Sequence, residues 1–338
     1  MKVYRIQKFG DADGLQLVDA PEPKLAPNEI LVRMQAASLN YRDLIVLRGQ
    51  YTRDPIPGRI PLSDGAGEVV EVGPAVSDFK VGDHVVGCFF RDWDAGRFQP
   101  AHHRTALGGP VDGVLAEYVA FPEHGLVRSP TGYNFEEAAT LPCAALTAWQ
   151  ALFVRGLVVP GDSILLLGTG GVSIFGLQFA EIAGARPIIT SSSDDKLARA
   201  KGLGAKATIN YRTTAKWGAL AADLSGGDGV DHVLEVGGAG TFPESVRACR
   251  FGANLALIGI LSGREAQVEI FPIVPKGLNV HGIYVGSRSM FVDMNRALSL
   301  APLRPVIDRV FSFREAPAAF RQLEAGNHFG KIVIRIGE

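Results

Sequence analysis

The chain has 338 residues, 47% of them hydrophobic and 20% charged, with a net charge of -1. That length exceeds one small core and predicts two domains, while near-neutral charge without a long basic run disfavours nucleic acid or an anionic membrane as a main partner. Three widely spaced cysteines, Cys88, Cys143 and Cys249, fit a reducing cytoplasm better than a disulfide framework, and no apolar run approaches membrane-spanning length.

The N-terminal Met1-Lys-Val-Tyr-Arg-Ile predicts a strand and not a signal peptide. Further strands are predicted at 30–35, 67–72 and 84–87, with turns at Gly73-Pro74 and Val81-Gly82-Asp83. Residues 1 to about 122 therefore predict a twisted, partly closed β domain. From Phe135 the pattern changes, and apolar runs at 164–167, 187–190, 207–209, 232–236, 255–258 and 280–285 alternate with amphipathic stretches. Alternating β and α predicts a parallel sheet wrapped on both faces, and six strands match a doubly wound Rossmann sheet. After Gly286 a helix (290–300), a strand (306–313), a helix (317–325) stopped by Gly326 and a last strand (331–336) are predicted to rejoin the first domain. The expected division is 1–124 with 288–338, and 125–287.

One stretch carries the chemistry. The run Ser163-Ile-Leu-Leu-Leu ends in Gly168-Thr-Gly170-Gly171-Val172-Ser173 and opens a helical pattern. About 20 residues on, a second apolar run ends in Ser191-Ser192-Ser193, with Lys196 a turn later. Such glycines turn the chain tightly and let backbone N–H groups approach a pyrophosphate at a helix N-terminus. Ser173 stands where the third glycine of that fingerprint falls.

Taken with Ala37-Ser-Leu-Asn40-Tyr-Arg42-Asp43, Pro61-Leu-Ser63-Asp64-Gly65-Ala-Gly67, Gly82-Asp83-His-Val, Ala138-Ala-Thr-Leu-Pro142-Cys143-Ala-Ala-Leu-Thr147-Ala and Phe329-Gly330-Lys331, the chain resembles the medium-chain dehydrogenase/reductase superfamily along its whole length. Leu39-Asn40-Tyr-Arg42-Asp43 and Gly49-Gln-Tyr51 look most like its quinone oxidoreductase and enone reductase branch. The resemblance implies a GroES-like, mostly β catalytic domain beside the Rossmann domain.

It also implies positions for a catalytic metal. The zinc enzymes' first cysteine falls on Asn40, their histidine on Ser63, its neighbouring acid on Asp64 and their second cysteine on Cys143. Asn and Ser are poor Zn²⁺ ligands and a catalytic site needs three protein ligands, so no metal is expected. The loop 89–113, where the family's structural zinc lobe carries four cysteines, has none and reads as a solvated loop that could roof the site. The family's relay hydroxyl falls on Arg42, which has no neutral form to relay a proton.

Asn40, Arg42, Tyr51, Ser63 and Asp64 are thus the candidate catalytic residues. Asn40 could donate to a substrate oxygen or cap its own turn; Arg42 could stabilise an enolate or pair with Asp43 or Asp64. Cofactor contacts are expected from Thr147, Gly168, Gly170, Gly171 and Val172, then Ser191, Ser192, Lys196 and Tyr211, and finally Gly237, Gly259, Tyr284 and Lys331. No acid stands at Ser191, where NAD sites hold the ribose, which favours NADP(H) over NAD(H). The reading is a zinc-independent, NADPH-dependent reductase of quinones or α,β-unsaturated carbonyls. An alcohol or carbonyl dehydrogenase and a non-enzymatic NADPH-binding protein remain as alternatives. The last Rossmann strand is expected to pair with its twin in a homodimer.

Overall fold

A computed structural model describes residues 1–263, 265, 267–300 and 303–337. The chain divides into two compact units, Met1–Leu146 with Gly286–Glu338, and Thr147–Val285.

The first unit begins with a two-stranded antiparallel ribbon, β1 (Lys2–Ile6) and β2 (Leu15–Asp19). Its main sheet uses β3 (Glu29–Ser38), β4 (Asp64–Val72), β5 (His84–Gly87), β6 (Tyr118–Pro122) and β7 (Leu126–Arg128). Alternation along β3 turns Ile30, Val32 and Met34 into a core that also takes Phe121 and Phe320. The helix Phe135–Ala139 packs on β3 and β4, which groups 125–146 with this unit.

The second unit holds β8 (Ser163–Leu166), β9 (Arg186–Ser191), β10 (Ala207–Asn210), β11 (Val230–Glu235), β12 (Cys249–Leu257) and β13 (Asn279–Gly282). All five pairings are parallel, in the order β10-β9-β8-β11-β12-β13. That is the doubly wound order whose ligand crevice lies outside the carboxyl ends of the strands. Central strands covered on both faces read as continuous apolar runs, and β8 is buried at every position.

The chain then returns to the first unit through the helix Arg288–Leu300, β14 (Ile307–Ser312), the helix Ala316–Ala325 and β15 (Lys331–Arg335). β15 pairs antiparallel with β3 and parallel with β14, extending the main sheet to the order β14-β15-β3-β4-β5-β7, with β6 also on β3. Element ends differ from the sequence expectation by a few residues, as helix and strand termini do. The solvated reading of loop 89–113 is corrected in part. Phe89, Phe90 and Trp93 are each at most 3% exposed, and Phe98 and His102 pack against Trp93, because aromatic faces gain more from burial than from water.

Candidate functional site

In the second unit, β8 ends in the glycine turn. Gly168 has φ +72, a backbone state that L side chains rarely adopt. Gly170 is the N-cap of the helix Gly171–Ile182. A Cβ at Gly168 or Gly170 would meet no atom within 4 Å, so the space beside this helix N-terminus is open. Orphan N–H groups and the helix dipole favour an anion there. The residues fit the pyrophosphate of a dinucleotide. Ser173 replaces the third glycine by turning inward, 1% exposed, its Oγ donating to Leu167 O at 2.6 Å. Close helix–sheet packing falls instead to Gly176, where a Cβ would lie 2.8 Å from Leu166 and Leu234.

Ser191 Oγ accepts from Ser193 N at 3.3 Å, and Tyr211 N donates to Ser191 O at 3.1 Å, so the ends of β9 and β10 meet. Ser193, the N-cap of Asp194–Gly202, accepts from Lys196 N. Asp194, an acid in this otherwise hydroxyl-lined turn, is held by Asn210 Nδ2 at 2.7 Å. Ser192 and Lys196 are half-buried, and Tyr211 is exposed. At the end of β11, Glu235 is fully buried and accepts from Gly237 N, Gly238 N, Thr241 Oγ1 and Ser245 Oγ. These four donors fix the turn that contains Gly237. Gly259 is required by its own neighbours, since a Cβ would fall 2.1 Å from Val236 O. Thr147 is buried at the start of this unit and Tyr284 is half-buried near its end. Sequence reasoning missed Gly176, Glu235 and Thr190, whose Oγ1 accepts from Gly168 N. The acid before Gly237-Gly238 was the available signal for Glu235.

In the first unit, strand register gathers a polar cluster. Ser38 pairs with Asp64 on one side of β3 and with Val333 on the other. The chain leaving β3 at Leu39-Asn40 therefore runs beside the starts of β4 and β15. Lys331, 3% exposed, donates from Nζ to Leu39 O at 2.5 Å and to Asn40 Oδ1 at 2.6 Å. Asp64 is fully buried. It accepts from Ser63 Oγ at 2.6 Å and from Cys143 N at 3.0 Å. Leu62, just before, has φ 69, a strained state for a branched side chain. Asp43 accepts from Asn40 N at 2.8 Å and pairs with Arg42 at 3.3 Å. Arg42 also donates to Leu107 O at 2.5 Å and lies over the rings of Tyr51 and Phe89. Of the five candidate catalytic residues, Asn40 and Asp64 thus meet at Lys331, with Ser63 bonded to Asp64, while Arg42 and Tyr51 form an adjoining stack.

Burial governs the titration of these groups. It pushes Asp43 up to about 6, with Arg42 opposing. It also raises Asp64, with the Lys331 ammonium the largest opposing influence. The Cys143 thiol is driven up by burial and by the Asp64 charge, so it is a poor source of thiolate. A catalytic zinc does not fit this donor set. Asn40 and Ser63 are weak ligands, both Asp64 oxygens are taken, and Cys143 holds its proton. Among the described residues no group of three or more His, Cys, Asp or Glu is placed to hold a metal.

Residues 26–131 match the family described as the alcohol dehydrogenase GroES-like domain, and residues 171–300 the one described as zinc-binding dehydrogenase. A zinc-type alcohol dehydrogenase-like protein of Schizosaccharomyces pombe is 44% identical over 93% of this chain and 92% of its own. A 2-methylene-furan-3-one reductase of Solanum lycopersicum is 32% identical over 99% of this chain and 79% of its own. Among solved structures, one from Sinorhizobium meliloti 1021, assigned to the alcohol dehydrogenases, superposes with TM-score 0.92 at 39% identity, covering 99% of this chain and 98% of that one. An NAD-dependent alcohol dehydrogenase superposes at TM-score 0.91 and 34% identity over the whole of both chains. The quinone oxidoreductase of Coxiella burnetii does so at 0.82 and 28%, over 99% of each chain.

Proposed function

The chain belongs to the zinc-type alcohol dehydrogenase-like family of medium-chain dehydrogenases/reductases, and from that premise we propose that it is a zinc-independent, NADPH-dependent reductase of quinones or α,β-unsaturated carbonyls. The observation that carries the reading is the polar cluster. Hydrogen-bonding groups stand where the family's zinc enzymes hold ligands, and Asn40 Nδ2 is a buried donor beside Asp64 that makes no well-formed hydrogen bond. Without a Lewis acid an alcohol's pKa stays high, whereas a conjugated carbonyl spreads developing charge and needs only donors at its oxygen. The furanone reductase and quinone oxidoreductase relatives support the same class.

A bound nicotinamide supplies the hydride. The chain does the rest. The Gly168–Gly171 turn holds the pyrophosphate, and Ser191, Ser192, Lys196 and Tyr211 receive a 2′-phosphate. Asn40 Nδ2 donates to the substrate oxygen as it becomes enolate-like, and water supplies the proton. A second reading, an alcohol or carbonyl dehydrogenase, is favoured by the descriptions of the two structures with higher identity, one of them NAD-dependent.

The deciding experiment is oxidation of NADPH and NADH over quinones, enones and aldehydes, with and without chelator. Chelator-resistant turnover of quinones or enones, faster with NADPH, is the expected result. Aldehyde turnover abolished by chelator would establish the second reading, and cofactor binding with no turnover the non-enzymatic one. We also place the protein in the cytoplasm as a homodimer through β13. That edge strand carries Val280, with exposed Phe271 and Val274 nearby. Light scattering should give two chains, and Val280→Glu one.

A further inference from the structure

Lys331 is a buried charge, and the sequence placed it among cofactor contacts. Its surroundings point elsewhere. The ammonium donates to Asn40 Oδ1 at 2.6 Å and to Leu39 O at 2.5 Å, both in the first unit. It also opposes the burial of Asp64.

An ammonium has three donors and no acceptor. The atom of the Asn40 amide that faces it must therefore be the oxygen. That removes the two-fold ambiguity an asparagine otherwise has and turns the NH₂ group away from Lys331. Asn40 Nδ2 lies near enough to Asp64 to help stabilise that carboxylate, yet it makes no hydrogen bond of acceptable geometry. A buried donor left in this state is costly unless a ligand completes it. The ordinary use of an asparagine ahead of a helix is to accept from a first-turn N–H, but the Asn40 side chain makes no such bond, and Asp43 N donates instead to Asn40 O at 2.9 Å. The side chain of Asn40 is thus released from its local duty and held by a residue 291 positions away.

We propose that Lys331 is a positioning residue that locks the Asn40 amide as a hydrogen-bond donor toward a carbonyl or quinone oxygen. The lock also polarises the amide. A cation on Oδ1 makes the N–H groups better donors, which favours an oxygen that gains negative charge. The function extends the substrate reading above and rests on it for its kinetic arm.

Four variants test it: Lys331→Gln, Asn40→Ala, Asn40→Asp and the double variant Lys331→Gln/Asn40→Ala. Lys331→Gln should lower kcat about 10- to 100-fold, the range of a lost oxyanion donor, and leave the NADPH Kd within about twofold of wild type, inside measurement scatter. Asn40→Ala should cost a similar factor, and the double variant no more than either alone, since both remove one device. Asn40→Asp keeps a partner for Lys331, so it should fold, yet it removes the donor and should be as impaired as Asn40→Ala. Multiplying losses, an active Asn40→Asp enzyme, or a Lys331→Gln enzyme with weakened NADPH binding and intact kcat would each overturn the proposal.

A second arm needs no turnover. In a ¹⁵N spectrum of the ligand-free protein, the Asn40 NH₂ pair is assigned by its loss in Asn40→Asp. It should shift in Lys331→Gln and stay in place in Cys143→Ala. An unmoved pair in Lys331→Gln sinks the lock. Failure of wild type to reduce any quinone or enone, with the pair shifting as expected, would leave the lock standing and reject the substrate class.

Discussion

The two units build their candidate sites from different materials. The second unit offers main-chain N–H groups and empty space at Gly168 and Gly170, all within one turn of chain. The first unit offers side chains from Asn40, Ser63, Asp64 and Lys331, brought together by strand register. A cradle made of backbone tolerates change in its neighbours but not a side chain of its own. A cluster made of side chains depends on every member for its charge state. Substitutions should therefore fail in different ways in the two units.

The largest expected effect lies in the side-chain cluster. Asp43 titrates at about 6 in the folded protein against 3.8 for an unperturbed carboxyl. The folded state then binds the proton more tightly, so stability from this group is present below about pH 4 and is lost as pH rises through 6. The loss amounts to about 3 kcal/mol on the linkage relation. Melting temperatures recorded from pH 4 to 7 should fall with pH more steeply in wild type than in Asp43→Asn. Parallel curves would mean that Asp43 is not a coupled member of the cluster.

Next comes the backbone cradle. Gly170→Asp adds an N-cap acceptor where a side chain meets no protein atom, so the melting temperature should hold or rise slightly. The same carboxylate would occupy and repel the phosphate position. Dinucleotide affinity by calorimetry should drop about 100-fold, roughly 2.7 kcal/mol. Retained affinity would move the phosphate site away from this turn.

A third substitution separates packing from binding within the second unit. Gly176→Val places methyl groups against Leu166 and Leu234, already 2.8 Å from a first Cβ. It should destabilise by about 2 kcal/mol, seen as a lower urea midpoint, with cofactor affinity per folded molecule unchanged. A pure affinity loss would mean that Gly176 touches the ligand.

The smallest effect is expected at Cys143. Only its backbone N–H bonds to Asp64, and its raised thiol is unreactive at neutral pH. Cys143→Ala should retain activity within about twofold and lose at most about 1 kcal/mol of stability, the scale of one small buried group. A larger drop, restored by added zinc in wild type only, would bring a metal into the first unit.

How much of this was legible in the sequence follows the same division. Glycine spacing, apolar runs and the switch from β to alternating β and α are local signals, and they predicted the parallel six-stranded sheet and its phosphate turn. The role of Gly176 was hidden because Ser173 occupies the expected third position and only the packed helix shows which residue faces β8. The aromatic core within loop 89–113 was hidden for a similar reason. Phe90, Trp93 and Phe98 follow no strand or helix period, so nothing in the order of residues says that their rings pack against one another.

The sequence by itself determined the two-part organisation, the doubly wound sheet and the glycine turn, because those depend on periodicity and backbone freedom over a few residues. Tertiary structure decided the rest. It set Asn40, Asp64 and Lys331 in one buried cluster, oriented an amide and raised two carboxyls. Those properties arise from the pairing of β3 with both β4 and β15, and from loss of water around charges far apart in the chain, neither of which a local pattern encodes.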